Sequence, residues 1–150
     1  MDHRKWQAAA ESLSEALRMA RERTLPDATT EAALALSKHH LGLLTSEDAR
    51  QEALRLSGGD GPHRLLAMIW HALGDAERAT EAALAAYKDA WADGEPYVLR
   101  YELNKATELL EELGVPLPDL EPYDEEADEP FPWEHDVRTA IDRLRAENSP

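Results

Sequence analysis

The chain has 150 residues, with 31 Asp or Glu against 16 Lys or Arg, and therefore a formal net charge of −15. This length suits a single domain, and the 43% hydrophobic content is enough to form a core. A surface this acidic repels phosphate backbones, so we expect no nucleic-acid partner. No apolar run approaches the roughly 20 residues of a membrane span, and the absence of cysteine excludes disulfides and thiolate metal sites.

The residue usage favours helix along most of the chain. Ala, Leu, Glu and Arg dominate, and alternation with a period of two is nearly absent, so we predict an all-α protein. The spacing of apolar residues and of breakers predicts about seven helices, over residues 5–23, 28–43, 45–57, 62–73, 76–93 and 97–113, with a last helix from 133.

Polar side chains and glycines predict where these helices begin and end. Asp27 or Thr29 is placed to cap the second helix, a hydroxyl at Thr45 or the next residue the third, and Asp75 the fifth. Gly74, directly before Asp75, suits the left-handed residue that ends a helix.

The composition changes after Gly114. Residues 115–132 hold five of the nine prolines, many acids and no Lys or Arg, which predicts an extended segment, here called the strap. Apolar residues within or just after the strap could fasten it along the helices and deliver the last helix onto the end of the array: Leu117, Leu120, Tyr123, Phe131 and Trp133. The alternative is a recognition segment whose acidic side chains, with Tyr123, meet a basic partner: Asp119, Glu121, Asp124, Glu125, Glu126, Asp128 and Glu129.

Two helix pairs superpose at a shift of 30 residues, with Leu36 falling on Leu66, His40 on Trp70 and Ala53 on Ala83. Residues 62–92, with small residues at Ala67 and Ala79, resemble a tetratricopeptide repeat, and a weaker likeness covers 28–113. The resemblance implies stacked antiparallel helical hairpins over 28–113. Outside that range we predict a capping helix in 1–27, an acidic proline-rich extended segment at 114–132, which consists of Gly114 and the strap, and a helix at 133–150. A compact orthogonal bundle is the alternative fold.

In the tetratricopeptide family, the first helix of each pair lines a concave, ligand-binding face. The resemblance therefore implies a groove that could clamp a carboxylate or an acidic peptide terminus, lined by Lys38, Arg64, Met68, His71, Arg100, Tyr101 and Asn104. The aromatics Tyr87, Trp91, Tyr97 and Tyr101 form two pairs at i, i+4 spacing. We expect them to build the hydrophobic centre of the last helix–helix joint.

No motif predicts catalysis, a cofactor or a metal. His39 and His40 point about 100° apart on a helix, and no histidine pair has the spacing of a zinc helix. We expect His40 instead to pack between hairpins. The many carboxylates single out no acid–base pair, and no glycine-rich phosphate loop is present.

These features predict a cytoplasmic, non-enzymatic adaptor that binds another protein through a helical groove and an acidic surface. An alternative is an inhibitor or immunity-type protein that masks a cationic site on a toxin or enzyme. A third reading is a small enzyme using His and Glu residues of the second and fourth helices.

The sequence leaves the oligomeric state open, since the exposed end of a short array can pair with itself. The Ala, Arg, Asp and Leu bias suggests a high-GC bacterium, and Met1 to Lys5 lead directly into amphipathic sequence, so we expect no signal peptide.

Overall fold

The structure is a computed structural model that describes residues 3–23, 27–58, 61–124 and 132–147. Within those ranges it is all-helical, which confirms the predicted fold class. The seven helices are α1 His3–Glu22, α2 Ala28–His40, α3 Ser46–Leu56, α4 His63–Ala72, α5 Ala76–Trp91, α6 Arg100–Glu112 and α7 Glu134–Glu147.

The predicted caps are confirmed at three helix starts. The side chains of Asp27, Thr45 and Asp75 each accept a hydrogen bond from the backbone N–H three residues later, at 2.9, 3.1 and 3.3 Å respectively. Gly74 has φ +74° and ends α4 as predicted. These bonds fix the directions in which α2, α3 and α5 leave their turns.

Two helix boundaries differ by three residues from the sequence prediction. α2 ends at His40 rather than near residue 43, because Gly42 adopts φ +70° and the Leu43 N–H donates to the Lys38 carbonyl at 2.9 Å. α6 begins at Arg100 rather than at residue 97. Here the Leu99 N–H reaches back to the Ala90 carbonyl at 2.8 Å, which ties this stretch to the end of α5.

Helices α1 to α6 form an array in which α2, α4 and α6 lie side by side. α1 packs on α2, α3 packs on both α2 and α4, and α5 packs on both α4 and α6. Fully buried alanines, such as Ala53 and Ala79, let neighbouring helices approach closely around Leu66, Ile69 and Trp70. A second cluster around Leu110 joins α4, α5 and α6.

The described part of the strap lies against the end of the array formed by α5 and α6. Val115 and Leu120 pack on the Leu110 cluster, and the Trp91 indole Nε1 donates to the Glu121 carbonyl at 3.0 Å. Tyr123 meets Tyr97 edge to face, with ring centroids 4.7 Å apart. Residues 115–123 therefore cover this end.

The proposed anchors of the strap divide into two groups. Leu120 and Tyr123 are half-buried, whereas Leu117 and Trp133 are exposed, and Phe131 lies outside the described residues.

The expectation that the last helix packs on the end of the array is wrong for the described residues, because α7 contacts none of α1 to α6. Val115 and Leu120 already cover the apolar surface there.

Candidate functional site

The residues predicted to line one groove lie in different parts of the structure. Arg64, Met68 and His71 follow one another along a face of α4 that looks toward α6. Arg64 Nε donates to Glu102 Oε2 at 2.8 Å, and His71 Nε2 lies 3.9 Å from Glu112 Oε1. Two side chains predicted to clamp a ligand carboxylate, Arg64 and His71, thus already face carboxylates of this chain.

The predicted residues on α6 are exposed. Arg100 donates to Glu95 at 2.8 Å, and the side chains of Tyr101 and Asn104 face solvent. Tyr101 is 67% exposed and Tyr97 is 54% exposed, so neither belongs to a hydrophobic centre. Because Tyr97 precedes α6, it does not share a helix face with Tyr101, and the i, i+4 interpretation of this pair is wrong.

The other aromatic pair does lie on one helix. Tyr87 and Trp91 stack with ring centroids 6.5 Å apart, and Tyr87 is buried in the cluster between α5 and α6. Trp91 is half-buried and holds the strap through its indole nitrogen. The expectation of an aromatic joint therefore holds for Tyr87 and Trp91 alone.

Lys38 does not lie on the α4–α6 face but lines a depression between α1, α2 and α3, which we call the N-terminal groove. Its volume is about 1090 Å³, its floor is α2, and its walls are α1 and α3. The apolar part of its lining consists of Leu17, Leu34, Ala35 and Leu44. The polar part consists of Ser14, Arg18, Arg21, Glu22, Glu31, Lys38, Asp48, Gln51, Glu52 and Arg55.

An ion-pair network joins the three helices around the N-terminal groove. Arg55 of α3 donates to Glu31 of α2 at 2.5 Å and to Glu52 at 2.6 Å, and Arg21 of α1 lies 3.7 Å from Glu31. The hydrogen bond from Arg55 lowers the pKa of Glu52. The hydrogen bonds to Glu52 and Glu31 in turn raise the pKa of Arg55. Lys38, by contrast, has no ion-pair partner within 4.0 Å among the described residues.

The groove continues along α1 as a second depression of about 740 Å³. Ser14, Arg18 and Lys38 line both depressions, so the two form one path across α2. Leu41 and Leu43 add apolar surface to this path, and Leu43 is 71% exposed. In the N-terminal groove, the apolar side chains of Leu17, Leu34 and Ala35 are buried and that of Leu44 is half-buried, and charged side chains of both signs complete the lining.

His40, the last residue of α2, does not pack where the sequence predicted. Its ring stacks on Trp6 of α1 with centroids 4.2 Å apart instead of packing between hairpins as Trp70 does. α1 supplies this partner because it runs alongside α2. Burial against α1 lowers the pKa of His40, and the neighbouring His39 lowers it further.

The charge of the chain is distributed unevenly. Residues 3–58, which hold α1 to α3, contain eight Lys or Arg and eight Asp or Glu, whereas residues 61–124 contain five and thirteen. In the strap, Asp119, Glu121 and Asp124 are exposed. Four further acids of the predicted recognition segment lie outside the described residues: Glu125, Glu126, Asp128 and Glu129. The N-terminal groove therefore belongs to a neutral unit beside an acidic one.

The sequence reasoning missed the α1 side of the groove because it treated α1 only as a cap. The equal number of acids and cations in residues 3–58 is the signal that could have separated this unit from the acidic remainder.

Among the described residues, no cluster of three or more His, Asp or Glu could hold a metal ion, and no helix is long and apolar enough to cross a membrane.

Comparison of the chain with protein-family models, curated proteins and solved structures finds no match. The tetratricopeptide resemblance stays a prediction from residues 28–113.

Proposed function

We propose that this protein is a non-enzymatic adaptor whose N-terminal groove binds an amphipathic helix of a partner protein. The observation that carries this proposal is the groove itself, an open depression of about 1090 Å³ lined by apolar side chains and by charged side chains of both signs. An amphipathic helix binds such a surface by placing its apolar face on the floor and its polar flanks along the walls.

The construction of the groove supports a helical ligand in particular. Its floor is a helix and its walls are two helices that pack on that floor, so a fourth helix would complete a small bundle. Lys38, which lacks an ion-pair partner among the described residues, can pair with a carboxylate of the ligand without breaking an existing contact.

The α4–α6 face supports a ligand less well. Arg64 already donates to Glu102, so an incoming carboxylate would have to displace that partner. The resemblance to tetratricopeptide repeats still favours this face as a second docking surface.

The inhibitor hypothesis is the second candidate, and the acidic unit favours it. Residues 61–124 carry eight more acids than cations, and Asp119, Glu121 and Asp124 of the strap are exposed. A cationic site on a toxin or enzyme would be attracted to this surface, with an affinity that falls as salt rises.

Photo-crosslinking from three positions separates these functions. We place a photoreactive amino acid at Gln51 in the groove, at Asp124 in the strap, or at Glu77 on the exposed side of α5 as the control, and treat lysate of the source organism. The adaptor proposal predicts one partner protein attached from Gln51 and not from Glu77, at low and high salt alike. Attachment from Asp124 alone, lost at high salt, would support the inhibitor instead, and no attachment above the Glu77 background would overturn both.

A further inference from the structure

The strap crosses a small aromatic surface at the α5–α6 end of the array. The Trp91 indole Nε1 donates to the Glu121 carbonyl at 3.0 Å. The Tyr97 ring meets the Tyr123 ring edge to face, with centroids 4.7 Å apart. Gly94 lies between Trp91 and Tyr97 in the sequence, and a Cβ there would lie 2.6 Å from the Tyr123 nitrogen, so the strap backbone passes directly over it. We call Trp91, Gly94 and Tyr97 together the aromatic site.

The chemistry of the aromatic site suits a proline-rich segment. Such segments bind as extended polyproline helices on surfaces lined by aromatic rings. Trp91 supplies a ring and an N–H that donates to the backbone of the occupant, and Tyr97 supplies a ring that is 54% exposed. Leu120 and Tyr123 of the occupant are half-buried and lie three residues apart, which is one turn of a polyproline helix. The occupant is itself rich in proline: Pro116, Pro118 and Pro122.

The strap covers the aromatic site without burying any of its own residues. In residues 115–124, Val115, Pro118, Leu120 and Tyr123 are half-buried and all the others are exposed. The three prolines have no backbone N–H with which to hold the strap to the array. Segments that bury little apolar surface open locally at a low cost in free energy. A competing segment can therefore take the place of the strap.

The charge of the strap is unfavourable for the surface that it covers. Asp93 and Glu95 flank Gly94, and only Glu95 of these two donates its charge to a printed pairing in the array, with Arg100 at 2.8 Å. The strap adds further acids and no Lys or Arg within its described part: Asp119, Glu121 and Asp124. A segment with the same prolines, but with Lys or Arg in place of these acids, would be attracted to the acidic end of the protein.

We propose that the aromatic site binds a proline-rich segment of a partner protein in which Lys or Arg flanks the prolines, and that the strap blocks the site until such a segment displaces it. The proposal gives the acidic unit a ligand class and a competitor within the same chain. It goes beyond the helix-binding function of the N-terminal groove and does not rest on it, because the two surfaces lie at different ends of the array.

Fluorescence anisotropy with the full chain and labelled synthetic peptides tests the ligand class. The lysine peptide repeats residues 114–124 with three changes: Asp119→Lys, Glu121→Lys and Asp124→Lys. The control peptide carries the same lysines and three further changes: Pro116→Ala, Pro118→Ala and Pro122→Ala. We expect the lysine peptide to bind about 10-fold more tightly than the control peptide, because the two have equal charge and differ only in their prolines.

Matched variants of the full chain test the competition by the strap. Leu120 packs on the Leu110 cluster, so Leu120→Ser should loosen the strap and strengthen binding of the lysine peptide about 5- to 10-fold. Leu117→Ser makes the same change at an exposed position of the strap and should leave the affinity unchanged. In an isotope-labelled wild-type chain, saturating lysine peptide should move the amide NMR signals of Leu120 and Tyr123 to those of an unstructured segment.

Three results would overturn the proposal. Equal affinity of the lysine and control peptides would show attraction between charges alone. Binding to the wild type that leaves the signals of Leu120 and Tyr123 in place would show a site other than the one under the strap. Tighter binding of the unmodified strap peptide than of the lysine peptide would show that the site takes the strap of a second copy. Crosslinking of a partner from Gln51 remains an independent test of the adaptor function in each case.

Discussion

The two ends of the helical array are finished differently. At the α5–α6 end, residues 115–123 cover the apolar surface, with Val115 and Leu120 on the Leu110 cluster. At the other end, α1 and α3 pack on α2 and leave an open groove with apolar lining. The charge differs as well, because residues 3–58 are neutral and residues 61–124 have eight excess acids. In our proposal the open, neutral end serves binding, whereas the covered end contributes to stability.

The largest expected effect is a difference in the free energy of unfolding between a truncated side chain at the covered end and one in the groove. Leu110 is fully buried at the covered end, so Leu110→Ala should lower the free energy of unfolding by about 2–5 kcal/mol. Leu44 lines the groove and is only half-buried, so Leu44→Ala should cost clearly less. Urea denaturation followed by circular dichroism measures both variants, and equal losses would break the comparison.

A substitution at Gly94 tests how closely the strap approaches the array. Gly94 has φ +92°, and a Cβ there would lie 2.6 Å from the Tyr123 backbone nitrogen. Gly94→Ala should therefore destabilise the protein by about 1–3 kcal/mol and loosen the strap, seen as faster hydrogen exchange around residue 123. Gly58→Ala is the control, since no atom lies within 4 Å of its Cβ position. Equal stability of the two variants would contradict the observed contact.

Removing a cap tests the floor of the groove. The Asp27 side chain accepts from the Thr30 N–H at the start of α2, so Asp27→Ala should lower the free energy of unfolding by about 1 kcal/mol. Asp27→Asn retains an acceptor and should lose less. Thermal unfolding of the two variants checks this order, and a reversed order would contradict the cap as the source of the effect.

The smallest predicted effect is a pH dependence at the groove end. Because the pKa of His40 is lowered in the folded protein, the unfolded chain binds the proton more readily. The stability that neutral His40 contributes to the folded protein is present above the unfolded pKa of about 6.5 and is lost as the pH falls below that value. Denaturation between pH 7.5 and 5.5 should show a shallower decline for His40→Gln than for the wild type. Identical slopes would exclude this linkage.

Local features of the fold could be predicted from the sequence. Asp27, Thr45 and Asp75 cap the helices for which they were predicted, because a cap depends on residues within one turn. The start of α6 could not be predicted, because it is set by the contact of Leu99 with the distant end of α5. Rules that predict helix ends from neighbouring residues take no account of such a contact.

The candidate site was harder to predict for the same reason. The repeat pattern placed Lys38 and Arg64 on one face, but Lys38 lines a groove whose walls are α1 and α3, whereas Arg64 pairs with Glu102 of α6. Periodicity indicates which face of a helix is buried or exposed. It does not indicate which exposed face a neighbouring helix turns into a groove, nor which cation finds a carboxylate within the same chain.

The central claim is that the N-terminal groove accepts an amphipathic helix. The most direct measurement is photo-crosslinking from Gln51 in the full chain, repeated with Ser14→Trp, which fills the groove, and with Ser12→Trp, which adds the same bulk to α1 outside the groove lining. We predict a partner protein attached from Gln51 that is lost with Ser14→Trp and kept with Ser12→Trp. No attachment above the Glu77 background, or attachment that Ser14→Trp leaves unchanged, would contradict the claim.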